Sequence, residues 1–282
     1  MKRLMWLLAV AVTGCQASVR YPAANLADDS YQAGEQWQLV WADEFDKAEL
    51  NDANWSRRVA KAGRFNAEWQ RYTDDESNAY IDNGCLVIKA IHEGESHGEN
   101  RYTSARLETA QKQSWRYGKV AARIQLPYGQ GIWPAFWMVG INGKRHGGDT
   151  RWPFCGEIDI MELWGSKDDG AVEATIHYAD RNSKHAWIHP QTFKLPAGRF
   201  ADAFHVFEIE WDEQQIRWMV DGQLYATQPI TADEFGEFHQ EFFILLNIAV
   251  GGKDPDFRPD ERSVFPQYMY VDWVRVYQQG KS

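Results

Sequence analysis

The chain lacks several features that identify common enzyme and binding classes. It has 3 cysteines in 282 residues, and no Cys/His cluster has the spacing of a zinc site. It has no glycine-rich phosphate loop and no Gly-x-Ser-x-Gly turn, which argues against nucleotide-binding and serine-hydrolase classes. No long stretch shows helical periodicity, and no internal repeat is visible, so a helical or repeat fold is not expected.

Basic residues are also few, whereas aromatic residues are abundant. Lysine and arginine total 30 against 40 acidic residues, and the net charge of −10 argues against a nucleic-acid partner held through its phosphates. The same charge disfavours a strongly sulfated polysaccharide. The chain contains 14 Trp, 12 Tyr and 14 Phe, more than one core usually needs. Most of these rings are expected in the core, but the remainder suit the apolar faces of sugars, so a neutral polysaccharide is the simplest partner.

The first residues resemble a bacterial lipoprotein signal. Lys2 and Arg3 precede a short apolar run at 4–12, which is too short to span a bilayer. The run ends before Cys15 in a lipobox-like pattern, where the cysteine would be lipidated; an ordinary secretory signal is the alternative. We therefore expect a signal peptide at 1–15, a tether at 16–34 and a lipid anchor in the membrane. Because Gln16 follows the cysteine, we expect the outer membrane or cell surface, or secretion if the lipobox is not used.

The other two cysteines, Cys85 and Cys155, leave two readings open. They could form one disulfide in an oxidising compartment, or they could be two buried thiols. Because Cys85 lies inside an apolar strand pattern, we favour the thiols.

Residues 35–280 are expected to form one all-β domain. Short alternating or apolar segments separated by turns predict strands, and 231–238 predicts a short helical turn. This spacing favours a β-sandwich jelly roll of two curved antiparallel sheets with a concave substrate cleft. Endo or exo action depends on whether a loop blocks one end of the cleft. The clearest predicted strands are 37–41, 85–90, 119–126, 132–139, 204–211, 215–220, 242–250 and 269–277.

The stretch at 157–162 contains three carboxylates separated by large apolar side chains. In a regular strand Glu157 and Asp159 share one face, but Glu162 falls on the other. A β-bulge near Ile160 and Met161 inserts one extra residue and returns all three acids to one face. Because uncompensated like charges are costly, such an arrangement suggests catalysis.

Cleavage of a glycosidic bond is the chemistry that this acid cluster fits. It needs one carboxylate as nucleophile or base and a second, protonated carboxyl as general acid. A third acid between them can hold a proton and raise the pKa of its neighbours. A surface strand with an exposed acidic face is the alternative reading.

At this point the chain resembles glycoside hydrolase family 16, and within it the bacterial β-1,3-glucanases (laminarinases). The resemblance covers roughly residues 37–278 and implies a jelly-roll sandwich. It rests on an ordered series of blocks: WADEFD at 41–46, NAEWQRYT at 66–73, YTSARL at 102–107, YGKV at 117–120, LPYGQGIWPAFWM at 126–138, GEIDIME at 156–162, NIAVGG at 247–252 and VDWVRVY at 271–277.

The resemblance assigns roles to the three acids. It makes Glu157 the nucleophile, Glu162 the acid/base and Asp159 a hydrogen-bonding partner of the nucleophile, in a mechanism that retains anomeric configuration. The extra residue Met161 matches the bulged motif of laminarinases and algal galactan hydrolases. Retention requires working carboxyls about 5–5.5 Å apart, so we expect sheet curvature to bring Glu157 and Glu162 together.

Three tryptophans are candidate substrate-binding residues. Trp133 and Trp137 lie on one predicted strand and share a face. The resemblance places both at sugar-binding subsites; core packing is the alternative. Trp152 precedes the acid strand in a loop and could cover the cleft.

Three polar residues also match family positions. His177, on the strand beside the acids, would hydrogen-bond Asp159 or a sugar, although a structural role stays open. Asn66 and Arg106 match positions that bind sugars or position the acids. Arg106 could equally be a counterion of the carboxylate cluster.

No cofactor is expected for catalysis, but the family often carries a structural calcium ion on the convex side. The resemblance assigns its ligands to Asp272 and to backbone carbonyls near Glu44 and Gly84, and calcium accepts carboxylate and carbonyl oxygens together. A capped strand end without a metal is the alternative.

The resulting functional prediction is a monomeric, retaining endo-β-1,3-glucanase that acts on laminarin-like, neutral β-glucans. Two alternatives remain: another specificity within the family, for mixed-linkage glucan or algal galactan, and a non-catalytic β-glucan-binding protein. The presence of all three acids disfavours the binding protein. Transglycosylation also stays open, because a retaining mechanism lets a sugar replace water as acceptor.

Overall fold

β-strands account for most of the regular structure. The computed structural model describes residues 30–143, 150–165 and 167–280. Two short 3-10 helices, Asp233–His239 and Pro255–Phe257, interrupt the strands. In chain order the strands are β1 (Trp37–Asp43), β2 (Ser56–Arg57), β3 (Gln70–Tyr72), β4 (Ala79–Asp82), β5 (Cys85–His92), β6 (Tyr102–Ser104), β7 (Arg106–Glu108), β8 (Gly118–Gln125), β9 (Ile132–Gly140), β10 (Glu157–Glu162), β11 (Ala171–Ala179), β12 (His185–Lys194), β13 (His205–Trp211), β14 (Gln215–Val220), β15 (Gln223–Pro229), β16 (Phe242–Val250) and β17 (Gln267–Gln279).

The strands form two sheets whose pairings are almost all antiparallel. Among the described residues, the larger sheet has the order β15-β14-β13-β8-β17-β5-β6-β3, with β1 added to β17 and β4 added to β5. The smaller sheet has the order β12-β11-β10-β9-β16-β7-β2. Only the β3–β6 pairing departs from this pattern within those ranges, being parallel. These sheets confirm the predicted all-β jelly-roll sandwich.

The core lies between the two sheets and buries 14 of the chain's aromatic residues, fewer than half of them, so the expectation that most rings lie in the core is not met. Trp55, Trp211, Trp218 and Phe136 are among the largest side chains that are fully buried there. Burying one large apolar side chain contributes roughly 1.5–3 kcal/mol, so this layer holds the sheets together. The apolar side chains of β10 also point into this core, which leaves its acids on the opposite, cleft face of the smaller sheet.

The predicted strands are confirmed, with some differences in length. The terminal strand β17 begins two residues earlier and ends two residues later than predicted, and 233–239 forms the predicted short helical turn. Sequence reasoning missed β12, which contains Pro190 and alternates exposed and partly buried residues at the sheet edge. Proline removes a hydrogen-bond donor and is tolerated at edge strands, so this segment gives a weak strand signal.

Cys85 and Cys155 are both buried thiols, and no disulfide joins the two. Burial is the main cause that raises the pKa of the Cys85 thiol to about 12, so this side chain stays protonated at neutral pH. The favoured reading of two thiols is therefore confirmed.

The predicted signal peptide, Cys15 and most of the tether lie outside the described residues, so these assignments stay predictions. In the part of the chain that the structure describes, no helix has both the length and the apolarity needed to cross a membrane.

Candidate active site

The predicted bulge in β10 is present and brings the three acids to the cleft face. In the pairing with β9, Asp159 lies opposite Trp137, but Met161 lies opposite the neighbouring Phe136, so one residue of β10 is extra. The side chains of Ile160 and Met161 are buried in the core. The extra residue is what returns Glu162 to the side of Glu157.

A tryptophan from the opposite sheet contacts the backbone at the bulge. The Nε1–H of Trp218, on β14, donates a 2.8 Å hydrogen bond to the backbone carbonyl of Asp159. Both groups are buried, and a bulge locally disrupts the regular ladder of backbone hydrogen bonds. This contact therefore satisfies a carbonyl that would be costly to bury alone.

Each of the two glutamates accepts a hydrogen bond from a different indole. Trp133, on β9, donates from Nε1 to Oε1 of Glu162 at 2.9 Å. Trp152, in the loop before β10, donates from Nε1 to Oε2 of Glu157 at 2.9 Å. The structure thus places Trp133 and Trp152 directly beside the acids, and each fixes the orientation of one carboxyl group; their roles in sugar binding stay predictions.

His177 lies on β11 opposite Glu157, beside two of the acids. Its Nε2 is 3.3 Å from Oδ2 of Asp159 and 3.6 Å from Oε1 of Glu157. Its Nδ1 lies 2.9 Å from Nε2 of His185, so one proton is shared between the two rings. If His185 donates that proton, Nε2 of His177 carries its own proton and points it at the acids.

Burial governs the proton affinity of the cluster. Burial, followed by the charge of Asp159, raises the pKa of both Glu157 and Glu162 to about 8. Burial also holds the pKa of Asp159 well above its ordinary range. Oδ2 of Asp159 has no well-aligned hydrogen-bond partner in the described part of the chain, which leaves it able to carry a proton. At neutral pH burial therefore favours the protonated form of all three acids.

Smaller effects act on the two glutamates in both directions. For Glu157, the charges of His177 and Arg106 lower the pKa and the charge of Glu162 raises it. For Glu162, the charge of His177 and the hydrogen bond from Trp133 lower the pKa, and the charge of Glu173 raises it. These effects leave the two pKa values alike, so the assignment of nucleophile and general acid stays a prediction from the family resemblance.

The ligand atoms of Glu157, Asp159 and His177 lie within 4.8 Å of one another, which is close enough to hold one cation. Metal ligands must be deprotonated, however, and burial favours the protonated form of these acids. A shared proton therefore fits these residues better than a metal ion does.

Trp137 and Arg106 form the neighbouring wall of the site. Nε1 of Trp137 donates to Oδ1 of Asn247 at 2.7 Å. The Arg106 guanidinium lies over the rings of Trp137 and Phe65, 4.7 Å from each centroid, and its Nε is 3.9 Å from Glu108. Arg106 thus acts on the acids through its charge rather than by contact, and it stacks against the wall.

A buried polar network supports this wall, and Asn66 belongs to it. Asn247 donates to the Tyr72 hydroxyl at 3.2 Å, and that hydroxyl lies 3.2 Å from a carboxylate oxygen of Glu68. Glu68 also accepts a 2.7 Å hydrogen bond from Gln70. Asn66 has a left-handed φ of 47°, and its amide is 3.5 Å from Glu68. The structure therefore directs the Asn66 amide at Glu68, in the polar network behind Trp137, rather than at the three acids.

Several residues of the site were missed by sequence reasoning. Trp164 stacks on Trp133 with ring centroids 4.1 Å apart. Because Trp164 stands two residues after Glu162, alternation along the strand could have placed it on the same face. His185 and Trp218 come from distant segments and give no local signal.

The residues predicted to bind calcium are paired with arginines. Both carboxylate oxygens of Glu44 accept hydrogen bonds from Arg275 at 2.8 Å, and Oδ2 of Asp272 accepts from Arg123 at 2.6 Å. Gly84 lies in the turn between β4 and β5. Arg123 neutralises Asp272, the predicted side-chain ligand, which disfavours a cation at this carboxylate. The other predicted ligands are backbone carbonyls near Glu44 and Gly84, so calcium binding itself stays a prediction.

Known proteins share this fold and these motifs. The model of Glycosyl hydrolases family 16 matches residues 63–274. A beta-glucanase of Rhodothermus marinus is 38% identical over 286 residues, which cover 98% of this chain and 94% of the relative. Glucan endo-1,3-beta-glucosidase A1 of Niallia circulans is 33% identical and shares 86% of this chain but 38% of its own length. The laminarinase catalytic domain of Thermotoga maritima MSB8 has a TM-score of 0.74 and 41% identity, over 88% of this chain and 100% of that domain. This chain therefore belongs to glycosyl hydrolases family 16, and it is a glycoside hydrolase.

Proposed function

We propose that this enzyme hydrolyses internal β-1,3-glucosidic bonds of laminarin-like β-glucans and retains the anomeric configuration. The relatives are a beta-glucanase, a glucan endo-1,3-beta-glucosidase and a laminarinase, which supports a β-glucan substrate. The acidic chain supports a neutral rather than a sulfated polymer.

The mechanistic part of the proposal rests on two hydrogen bonds from indole groups to the glutamates. Trp152 orients Glu157, and Trp133 orients Glu162, so two carboxyl groups on one bulged strand are held in fixed and separate positions. A retaining glycosidase needs two such groups with opposite protonation states.

In the first step, the protonated Glu162 donates its proton to the glycosidic oxygen while the Glu157 carboxylate attacks the anomeric carbon. The bond to the leaving sugar breaks as the bond to Glu157 forms, giving a covalent glycosyl-enzyme. Asp159 carries a proton beside Glu157, so Asp159 itself is neutral and does not repel the Glu157 carboxylate. Nε2 of His177 lies 3.3 Å from Oδ2 of Asp159 and helps to orient that carboxyl group.

In the second step, the Glu162 carboxylate removes a proton from water, which attacks the anomeric carbon and releases Glu157. The two inversions restore the original configuration. Replacing water by a sugar at this stage would give transglycosylation, so the size of the products distinguishes the two outcomes.

Product analysis on three polymers tests the proposal. The wild-type enzyme should release short oligosaccharides from laminarin faster than from lichenan or agarose. Glu157→Gln and Glu162→Gln should each lower kcat by at least about a thousandfold while the fold persists. Glu76→Gln, on an exposed turn, is the matched control. A fully active Glu157→Gln or Glu162→Gln protein would refute the assignment, and preference for lichenan or agarose would refute the linkage. Tight laminarin binding without any hydrolysis would favour a glucan-binding protein.

We also propose that Cys15 anchors the enzyme to the membrane through lipid. The basic residues, the short apolar run and the lipobox-like pattern support this. Cys15→Ser should move the protein from the membrane fraction to the soluble fraction of the cell envelope. Unchanged membrane association would contradict the anchor.

A further inference from the structure

Three rings lie side by side at the β12 end of the cleft sheet. Trp152 and Trp187 are 47% and 63% exposed, a large fraction for such apolar side chains. His185 lies between them, with its ring centroid 4.4 Å from that of Trp152 and 5.5 Å from that of Trp187. We refer to Trp152, His185 and Trp187 as the edge platform.

The orientation of β12 shows that the platform belongs to the cleft face. Ala186 and Ile188 are partly buried against the core, and strand alternation places His185 and Trp187 on the opposite side. That side is the one from which His185 reaches His177. The platform is therefore a continuation of the surface that carries the acids.

The sheet register places the platform in line with the acid cluster. Glu157 pairs with His177 on β11, and His177 pairs with Trp187 on β12. Two strand spacings separate Glu157 from Trp187, which is about 10 Å. Trp152 bridges this distance, since its indole donates to Glu157 while its ring contacts His185. A polymer that lies across the strands at Glu157 would extend over this row.

The fold itself does not require these rings. Edge strands usually carry charged residues or proline, which prevent pairing with other chains, and an exposed Trp187 offers no such protection. Because most of the Trp187 side chain stays in contact with water, its burial contributes little to the stability of the fold. Burial lowers the pKa of His185, with smaller contributions from the charges of His177 and Lys253, so the ring is neutral at neutral pH. The surface is therefore aromatic and uncharged, which suits the apolar C–H face of a neutral sugar.

We propose that the edge platform is a subsite that binds a glucosyl unit of the β-glucan chain beyond the unit held at the acids. Trp187 supplies the stacking face, and His185 holds the two indoles in one row. This proposal rests on the proposed function, because its ligand is the substrate of that same cleft.

Kinetics on β-1,3-gluco-oligosaccharides of increasing length tests the subsite. Trp187→Ala should lower kcat/KM on laminarin by about three- to tenfold, mainly through KM, since one aromatic contact contributes about 0.5–1.5 kcal/mol. The loss should grow with oligosaccharide length, and Trp187→Phe should recover most of it. Leu39→Ala removes a side chain that is 50% exposed on the other sheet, and it should leave every rate unchanged.

Two failures can be told apart. A Trp187→Ala enzyme with wild-type kcat/KM at every chain length would overturn the subsite but leave the proposed function intact. A loss that is equal at all lengths would also overturn it, because a general structural defect would produce that pattern. If the wild-type enzyme does not cleave β-1,3-glucan, the proposed function fails by itself. A length-dependent loss for Trp187→Ala on the polymer that is cleaved would then still support the platform as a subsite, and no such loss would overturn it.

Discussion

Neutralising Glu162 is expected to stabilise the folded enzyme at neutral pH. The fold holds this carboxyl in a buried cluster beside Asp159, where the charged form is disfavoured. Glu162→Gln keeps the shape of the side chain and an oxygen that accepts the Trp133 hydrogen bond, but it cannot ionise. The variant therefore removes the electrostatic cost while it keeps the packing.

The size of the effect follows from the two pKa values. The pKa of Glu162 is about 8 in the folded chain, against an ordinary 4.5 that we take for the unfolded chain. A pKa raised by folding means that the protonated acid stabilises the folded state below about pH 4.5 and that this contribution is lost as pH rises towards 8. By pH 7 the loss is about 3 kcal/mol, and in a domain of this size that corresponds to a Tm change of roughly 6–12 °C.

Urea unfolding followed by tryptophan fluorescence at about pH 5, 6 and 7 measures this difference. The advantage of Glu162→Gln over wild type should grow steadily with pH across this window. Glu76→Gln should show no such growth, because its side chain is exposed. An advantage for Glu162→Gln that stays constant or shrinks as pH rises would refute the reasoning that burial raises the pKa of Glu162.

Two further predictions concern the supports of the site and the convex sheet. Trp218→Phe removes the hydrogen bond to the Asp159 carbonyl, so the free energy of unfolding in urea should fall by about 1–3 kcal/mol. The variant should also lower kcat more than it changes KM. A wild-type kcat would contradict the role of this contact. EDTA should leave the Tm unchanged, because Arg123 already neutralises Asp272, the predicted side-chain ligand of calcium; a Tm that rises with added calcium would contradict this.

The acid strand shows which structural features can be predicted from the local sequence alone. The order of acidic and apolar residues at 157–162 was sufficient to predict the bulge, because one extra residue is the simplest way to put three acids on one face. The shared face of Trp133 and Trp137 followed from the same alternation. These predictions succeeded because they depend on spacing within one strand.

Contacts between segments far apart in the chain could not be predicted from the sequence. Trp218 is 59 residues from the carbonyl that it stabilises, and no periodicity relates the two. Arg123 and Arg275 likewise became visible as partners of the predicted calcium ligands only when the folded strands placed them there. The edge strand β12 was missed because its polar, proline-containing sequence carries little strand signal, yet it supplies His185 and Trp187.

The stereochemistry of the first product tests the central claim most directly. If Glu157 and Glu162 act by double displacement, proton NMR of a fresh laminarin-type oligosaccharide digest should show the β anomer first, with the α anomer appearing later by mutarotation. Initial release of the α anomer would mean that water attacks directly. That result would contradict the assignment of Glu157 as the nucleophile.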